Sequence, residues 1–191
     1  MATVAAARHP GLLRRDETGL VVVDVQEGFR LVIDRFDEMA RNVAILVEGF
    51  DLLERPVLVS EQYPKGLGAT VPEVAERLPA GSALIEKLRF SACGVGAFDE
   101  ALEAAGCSRW VVCGIEAHVC VNQTVLDLLA RRYEVHVAGD AVSSRSPANR
   151  ALGLEKMASA GARATSAEMA LFEMLEEAGT PEFKAISKLV R

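Results

Sequence analysis

The chain has 191 residues, half of them hydrophobic, and this is enough material for one compact domain with a substantial core. Its net charge of −6 lacks the basic excess that binding to a phosphate backbone requires, so the expected partner is a small molecule or another protein and not a nucleic acid. The longest apolar runs fall far short of the roughly 20 residues that span a bilayer, so no membrane segment is expected.

The first half of the chain alternates between strand and helix patterns. Residues 19–25 form a β-branched apolar run that is typical of a strand buried on both faces. Between residues 34 and 53 the apolar positions recur at steps of three and four, which predicts a helix with one apolar stripe. The next predicted elements are strands over residues 56–60 and 83–85 and a helix over residues 95–105. That helix is expected to end at Gly106, the usual residue for a left-handed helix end.

The second half continues the alternation. Strands are predicted over residues 110–113, 134–138 and 162–164. Helices are predicted over residues 119–132, 167–177 and 181–190. A loop over residues 139–147 is expected to lead into a further helix that ends at residue 160. Because each parallel crossover must return over the sheet, this alternation indicates an α/β fold, a three-layer α/β/α sandwich. A single domain over residues 1–191 is predicted, with a flexible tail over residues 1–11.

Two features bear on the cellular compartment. Residues 1–10 have no apolar run ahead of a cleavage site, so no signal peptide is expected. The four cysteines show no CxxC or Cys/His finger spacing, so neither a zinc site nor a cofactor is expected. They are Cys93, Cys107, Cys113 and Cys120. Reduced thiols in a cytoplasmic protein are predicted.

Polar residues follow three predicted strands at the ends where doubly wound sheets bind ligands. Asp24 lies near the end of the first strand, either as a paired functional carboxylate or as a turn or capping residue. Lys87 follows the third strand, where a solvated surface lysine is the alternative. Cys120 lies at or near the N-terminus of the helix after the fourth strand, where N–H groups favour a thiolate and could hold an oxyanion; a buried core thiol is the alternative. Together they match a nucleophile, its base and a charge partner.

Four motifs occur in order along the chain. They are VVDVQEGF at residues 22–29, EKLRFS at 86–91, GIEAHVCVNQT at 114–124 and GDAVSSR at 139–145. With them the chain resembles the isochorismatase-like cysteine hydrolases from about residue 12 to the C-terminus. It is most similar to the isochorismatase domain-containing proteins, because SEQYPKGLG at residues 60–68 and HVCVNQT at 118–124 are typical of that branch.

The resemblance implies a six-stranded parallel sheet of order 3-2-1-4-5-6, in which Asp24 and Cys120 face each other across the crevice. In the family mechanism, Asp24 accepts the thiol proton, Lys87 stabilises the thiolate and orients Asp24, and Cys120 attacks a carbonyl to form a thioester that water releases. The family's non-proline cis peptide corresponds to Ile115–Glu116, and the N–H groups of Glu116 and Cys120 are the implied oxyanion donors. The implied activity is hydrolysis of a C–N bond in a small amide, imide or carbamoyl compound.

One family feature is missing from the sequence. Nicotinamidases of this superfamily carry an Asp/His/His metal site after the second strand, whereas this chain has Glu61, Gln62 and Tyr63 there and no histidine nearby. The departure weakens a metal-dependent nicotinamidase prediction, and no metal site is expected. Of the three histidines, only His118 could line the site, and a supporting or surface role is its alternative.

A further set of residues follows the strand ends and could frame the substrate. They are Gln26, Phe29, Gln62, Tyr63 and Phe90. Core positions are the alternative for the two phenylalanines, and hydrogen bonding between loops is the alternative for Gln26.

A homo-oligomer is expected from the resemblance, because family members commonly assemble. The C-terminal helices offer apolar residues for an interface, such as Leu171, Phe172 and Leu175. Asp140 and Arg145, in the loop after the fifth strand, are interpreted as a structural or subunit-interface network.

Three other functions remain open. Vinyl ether hydrolysis, as of isochorismate, occurs in the same superfamily in a branch that can dispense with the cysteine. A thiol redox role would use Cys120 with Cys93 or Cys113 as the nearby second thiol. A non-catalytic scaffold would carry an inert Cys120 with a pKa near the ordinary value of about 8.5.

Overall fold

The computed structural model describes residues 8–191, and residues 1–7 of the predicted flexible tail lie outside the described residues. Arg8 follows directly, and its Nη2 atom donates a hydrogen bond to the Glu173 carbonyl oxygen at 2.8 Å. The described part contains a six-stranded parallel sheet with helices on both faces, which confirms the predicted α/β/α sandwich.

The strands are β1 Thr18–Val23, β2 Val57–Gln62, β3 Leu84–Lys87, β4 Arg109–Ile115, β5 Glu134–Ser143 and β6 Arg163–Thr165. Their spatial order is β3-β2-β1-β4-β5-β6, which confirms the order that the family resemblance implies. The chain runs from β1 toward one edge and from β4 toward the other, so these two neighbours form the switch point. The crevice that binds ligands in such sheets lies at their carboxyl ends.

Eight α-helices lie within residues 8–191, and short 3-10 turns precede β1 and follow it. The helices are α1 Phe36–Leu52, α2 Pro64–Leu67, α3 Pro72–Ala75, α4 Gly96–Ala104, α5 Cys120–Ala130, α6 Pro147–Ser159, α7 Ala167–Leu175 and α8 Pro181–Leu189. The one-turn helices α2 and α3 are too short to show a hydrophobic period, and the sequence did not predict them. After α4, Gly106 has φ 62, as the predicted left-handed helix end requires.

The central strand separates two apolar layers. Every residue of β1 is buried, and its side chains alternate between the two faces of the sheet. Leu20 and Val22 pack into the layer that contains α1, α7 and α8. Val21 and Val23 pack into the layer that contains α4, α5 and α6. This double burial explains the continuous apolar run that predicted the strand.

Helix α1 carries the predicted apolar stripe on its buried face. Phe36, Met39, Val43 and Phe50 are all at most 3% exposed. The helix begins two residues later than the periodicity suggested, because Arg35 has a left-handed backbone with φ 49 and cannot continue a helix.

Strand β5 extends further than the sequence predicted. The prediction of a loop over residues 139–147 is wrong for its first residues, because β5 continues to Ser143. The pairing of β5 with β4 shifts after Val112 and resumes where Gly114 faces Val142. The irregularity falls at a Gly-Asp pair, which resembles a turn in sequence, and the apolar residues beyond it then rejoin the sheet.

The C-terminal helices contribute to the core. The prediction that Leu171 belongs to an apolar interface face is wrong, because it is fully buried and a Cβ at Gly49 of α1 would lie 2.4 Å from it. Phe172 is 36% exposed and packs edge-on against Phe183 of α8. In the described part of the chain, no helix has the length and apolar character needed to cross a membrane.

Candidate active site

Three predicted site residues meet at the carboxyl end of the sheet. Asp24 directly follows β1, Lys87 is the last residue of β3, and Cys120 is the first residue of α5, which follows β4. All three are buried. The fold therefore brings a carboxylate, an ammonium and a thiol from distant parts of the sequence to one point.

Asp24 and Lys87 form a buried ion pair. Lys87 Nζ lies 2.6 Å from Asp24 Oδ2, and the two side chains are 0% and 1% exposed. Ser60 Oγ donates to the other carboxylate oxygen at 2.8 Å. Burial raises the pKa of Asp24, and the charge and hydrogen bond of Lys87 act against this effect, as does Ser60. The surface alternative for Lys87 and the capping alternative for Asp24 do not fit these contacts.

The backbone of Asp24 is left-handed, with φ 54, a region that few residues other than glycine adopt. Its N–H donates to the Ser60 carbonyl at 3.0 Å, and its own carbonyl accepts from the Gln26 N–H at 2.9 Å. Neighbouring backbone therefore holds Asp24 in a conformation that the isolated chain would avoid. Strained residues of this kind concentrate at functional sites.

The Lys87 ammonium is fully engaged. Besides Asp24, its Nζ donates to Gln62 Oε1 at 2.8 Å and to the backbone carbonyls of Phe90 at 3.0 Å and Arg89 at 3.2 Å. An ammonium has three protons to donate, so this shell satisfies it and fixes its position. The charge of Lys87 is thereby directed at Asp24.

Gln26 stabilises the group of hydrogen-bond acceptors around Lys87. Its side chain has no exposed surface; Nε2 donates to the Gln62 carbonyl at 3.0 Å, and Oε1 accepts from the Gln62 N–H at 2.7 Å. Nε2 also donates to the Gly68 carbonyl at 2.7 Å. Gln26 thus bridges loops, which is the alternative that the sequence left open for it, and it holds the residue that contacts Lys87.

Cys120 faces Asp24 at the start of α5. It is 8% exposed, and its thiol lies close enough to Asp24 and Lys87 for the charges of both to act on its pKa. Burial, and after it the Asp24 charge, raises the pKa of the Cys120 thiol to about 12, against the opposite effect of Lys87. The prediction that the helix N-terminus favours a thiolate is therefore wrong here. Cys120 is a neutral thiol beside a base.

The backbone before Cys120 is irregular. The Ile115–Glu116 peptide bond is cis. Within residues 8–191, neither the N–H of Glu116 nor that of Cys120 donates a hydrogen bond to a backbone carbonyl. The Glu116 N–H lies close enough to the Cys120 thiol to act against the rise in its pKa. Gly114 lets β4 approach β1 closely, because a Cβ there would lie 2.1 Å from the Val23 carbonyl oxygen. Two uncommitted N–H groups beside a nucleophile can stabilise an oxyanion.

A cleft of about 630 Å³ opens above Cys120. Of the predicted substrate contacts, Phe29, Gln62, Tyr63 and Phe90 line it. Tyr63 and Phe90 are more than half exposed, so the aromatic rim faces solvent and is not part of the core. The cleft is therefore largely apolar around a polar floor.

The sequence did not predict every cleft residue. The lining residues that it missed are Gly28, Val32, Leu67, Val119 and Arg145. They lie in the same segments after the strand ends as the predicted residues, so position along the chain was a usable signal. Arg145, interpreted as part of a structural network, in fact pairs with Glu116 in the cleft, with Nε 3.1 Å from Oε2.

His118 occupies a supporting position. It is not among the residues that line the cleft. Its Nδ1 lies 3.1 Å from Ser144 Oγ, and its Nε2 lies 3.4 Å from Asn149 Nδ2. It therefore links the segment before Cys120 to the start of α6, as the alternative to substrate contact suggested.

The position of the nicotinamidase metal site has a different use in this chain. Glu61 Oε1 accepts hydrogen bonds from the N–H and the hydroxyl of Thr70 at 2.6 and 2.7 Å. Residues 8–191 contain no group of three or more His, Cys, Asp or Glu side chains that could hold a metal ion. Glu61 thus fixes the loop that carries Tyr63 over the cleft.

Sequence comparison places this arrangement among known proteins. The isochorismatase domain model matches residues 18–169. The secreted isochorismatase effector Isc1 of Phytophthora sojae is 40% identical and covers 100% of this chain and 92% of its own length. Isochorismatase domain-containing protein 2 of Xenopus laevis is 37% identical, with 98% of this chain and 90% of that protein covered.

Structural comparison gives the same result. A structure described as MAR1 ribonuclease from Caenorhabditis elegans has a TM-score of 0.90 and 37% identity, and covers 94% of this chain and 92% of its own. The YcaC gene product of Escherichia coli, described as an octameric hydrolase of unknown specificity, has a TM-score of 0.88 and covers 96% of this chain and 92% of its own. At 20% identity, the second likeness shows the fold alone.

Proposed function

The chain belongs to the isochorismatase family, and we propose that it is a cysteine hydrolase that cleaves a C–N bond of a small amide, imide or carbamoyl substrate. The observation that carries the proposal is the buried Asp24–Lys87 ion pair beside the Cys120 thiol, which itself lines an open cleft. Apolar side chains would often stabilise such a position better than an ion pair does. A catalytic role accounts for the charged pair.

In the first step, Cys120 Sγ attacks the substrate carbonyl carbon while Asp24 takes the thiol proton. Because burial keeps the thiol protonated, the proton must leave as the S–C bond forms, and Asp24 is the carboxylate whose charge acts on the thiol. Burial raises the pKa of Asp24, which makes it a stronger proton acceptor than an exposed carboxylate. Lys87 holds Asp24 in position through its 2.6 Å contact.

In the second step, the tetrahedral intermediate collapses. The N–H groups of Glu116 and Cys120 stabilise the negative charge on the former carbonyl oxygen. Asp24 returns its proton to the leaving nitrogen, the C–N bond breaks and the amine departs, which leaves a thioester on Cys120. Water then attacks the thioester, Asp24 again relays a proton, and the acid product leaves as the thiol re-forms.

The test is acyl transfer from p-nitrophenyl acetate, a small activated acyl donor. We expect a burst of nitrophenolate that is stoichiometric with protein, and an acetyl group on Cys120 by peptide mass spectrometry after an acid quench. Cys120→Ser should abolish the thioester, and Asp24→Asn should slow the burst by about 100-fold, the usual contribution of a positioned base. Hydrolysis of a panel of primary amides, cyclic imides and N-carbamoyl compounds then identifies the substrate class.

Cys107→Ala is the matched control, because Cys107 lies before β4 at the other end of that strand. It should keep the full burst. An acetyl group that spreads over several cysteines, or a burst that survives Cys120→Ser, contradicts the proposal and favours the non-catalytic scaffold. Amide or vinyl ether turnover that survives Cys120→Ser would instead favour the isochorismatase-type reaction.

The redox alternative has less support. Reactive sensor thiols have lowered pKa values, whereas burial raises the pKa of Cys120 to about 12 and that of Cys93 to about 11. All four cysteines are unpaired and buried. These free thiols favour a reducing compartment, and we propose a cytoplasmic location, although one relative is named a secreted effector.

We also propose that the chain forms a homo-oligomer. Leu31 and Leu88 are 96% and 76% exposed, and each directly neighbours a residue of the site, Val32 or Lys87. Leu31 adjoins Val32 and Leu88 lies two residues from Phe90, both of which are exposed at the cleft, and contiguous exposed apolar surface marks interaction sites. The octameric description of the Escherichia coli YcaC protein is consistent with assembly in this fold. Light scattering at micromolar concentration should give a mass of at least a dimer, and a monomer would contradict the proposal.

The proposed partner is a small molecule. Although a structural relative is described as a ribonuclease, the net charge of −6 provides no basic surface excess for a phosphate backbone.

A further inference from the structure

Two charged side chains line the cleft beside the nucleophile. Arg145 donates to Glu116 Oε2 twice, from Nε at 3.1 Å and from its backbone N–H at 3.0 Å. Glu116, Arg145 and Cys120 all line the same cleft. The side chain of Glu116 is 9% exposed and that of Arg145 is 61% exposed. The pair therefore joins a buried carboxylate to an exposed guanidinium in the lining of the cleft.

The pair leaves hydrogen-bonding capacity unused. In the described chain, Glu116 Oε1 accepts no hydrogen bond and the two Nη groups of Arg145 donate none. Gln62, another polar side chain that lines the cleft, has both amide atoms engaged, with Lys87 and with the Leu88 carbonyl. A ligand in the cleft thus meets one free hydrogen-bond acceptor, Glu116 Oε1, beside the free hydrogen-bond donors of the Arg145 Nη groups.

We propose that the Glu116–Arg145 pair is the specificity element of the cleft, which binds a neutral N–H next to a C=O, as in a ureido or imide group, and rejects a carboxylate. The N–H of such a group donates to Glu116 Oε1, and the adjacent carbonyl accepts from an Arg145 Nη group. A carboxylate at the same place is repelled by the negative charge of Glu116, which also offsets the positive charge of Arg145. The inference rests on the proposed function, because it assumes that substrates reach Cys120 through this cleft.

The test uses two alkylating probes of nearly equal size, neutral iodoacetamide and anionic iodoacetate. With either, the Cys120 sulfur displaces iodide and its proton passes to Asp24. Site-resolved mass spectrometry gives the ratio of the two rates at Cys120. Glu116→Gln keeps the side-chain shape but removes the negative charge, so we expect the iodoacetamide-to-iodoacetate ratio to fall about tenfold. Arg145→Gln should raise the ratio, and the double variant should return it close to the wild-type value.

Glu48→Gln is the control for net charge, because Glu48 pairs with Arg77 outside the cleft and the substitution changes the total charge by the same amount. It should leave the ratio within twofold of wild type. The inference is overturned if Glu116→Gln also leaves the ratio within twofold, or if Glu116→Gln and Arg145→Gln move it in the same direction.

A second experiment tests recognition of the N–H group. Succinimide, N-methylsuccinimide and succinate have the same four-carbon frame, and each is added as a protector against iodoacetamide. Succinimide should slow alkylation of wild-type Cys120 at least fivefold more than either of the others at equal concentration, and Glu116→Gln should weaken that protection. Equal protection by succinimide and N-methylsuccinimide would overturn the inference.

These outcomes are independent of turnover. A shifted probe ratio together with no acyl transfer would contradict the proposed function and leave the specificity element standing. Normal acyl transfer together with an unshifted ratio would contradict the specificity element alone.

Discussion

Two ion-pair clusters of the protein differ in burial. Lys87 and Asp24 are at most 1% exposed. Arg30, in contrast, bridges three carboxylates that are between 45% and 83% exposed. They are Glu27, Asp37 and Glu73. The exposed cluster has more partners, yet water competes for each of them, whereas the buried pair is desolvated and satisfied only by its own shell.

The number of ion pairs in a cluster therefore does not identify a functional site. Ionised side chains are costly to bury and are often retained at functional sites. Here the charges of the buried pair act on Cys120, the only cysteine that lines the cleft in the described chain. Removing one charge should therefore have very different effects in the two clusters.

The largest effect is expected for Lys87→Ala. It leaves the Asp24 carboxylate buried without its partner, so the free energy of unfolding should fall by about 3–5 kcal/mol. The double variant Lys87→Met/Asp24→Asn removes both charges and should recover most of that loss without recovering acyl transfer. Urea denaturation measures both. A Lys87→Ala variant as stable as wild type would contradict a desolvated Lys87–Asp24 ion pair.

A smaller effect is expected for Ser60→Ala. It removes the hydroxyl that donates to Asp24 Oδ1 at 2.8 Å, and a hydrogen bond to a charged group contributes about 1.5–3 kcal/mol. Ser82→Ala is the control, because Ser82 donates to the neutral carbonyl of Pro79 in a turn. Denaturant titration should show that Ser60→Ala lowers the free energy of unfolding clearly more than Ser82→Ala does. Equal losses would show that Asp24 does not depend on Ser60.

The pH dependence of stability should depend on Cys120. Burial raises the pKa of its thiol from 9.0 to about 12, so folding favours the protonated form. The stabilisation is complete below the unfolded pKa and is lost as the pH rises toward the folded one, by about 1 kcal/mol between pH 9 and pH 10. Cys120→Ala should lose correspondingly less stability over that interval. Parallel pH profiles of variant and wild type would contradict a buried neutral thiol.

The smallest effect is expected in the exposed cluster. Glu73→Gln removes one carboxylate from Arg30, which keeps two others, so stability should change by less than about 1 kcal/mol. Acyl transfer at Cys120 should be unchanged. A loss as large as that of Lys87→Ala would remove the distinction between the clusters.

The secondary-structure elements could be predicted from the periodicity of hydrophobic residues in the sequence. The run over residues 19–25 and the stripe of α1 gave the correct elements because burial on two faces or on one face leaves a readable pattern. The strand order came from the family resemblance. The continuation of β5 was missed, because a Gly-Asp pair resembles a turn whether or not the strand resumes after it.

The site was predictable in position and less so in chemistry. Asp24, Lys87 and Cys120 were found because polar residues at strand ends stand out. The direction of the Cys120 pKa was wrong, because helix-terminus reasoning takes no account of burial or of the Asp24 charge. The roles of Gln26 and Arg145 depend on side-chain partners that only the folded structure brings together.

The central claim is that Asp24 takes the proton of a neutral Cys120 thiol. The most direct measurement is the rate of iodoacetamide alkylation at Cys120 against pH, in wild type and Asp24→Asn, with circular dichroism to verify folding. We predict a pH-independent plateau near neutrality in wild type, where Asp24 assists proton removal, and in Asp24→Asn only the rise at alkaline pH. The same single alkaline rise in both proteins would contradict the claim.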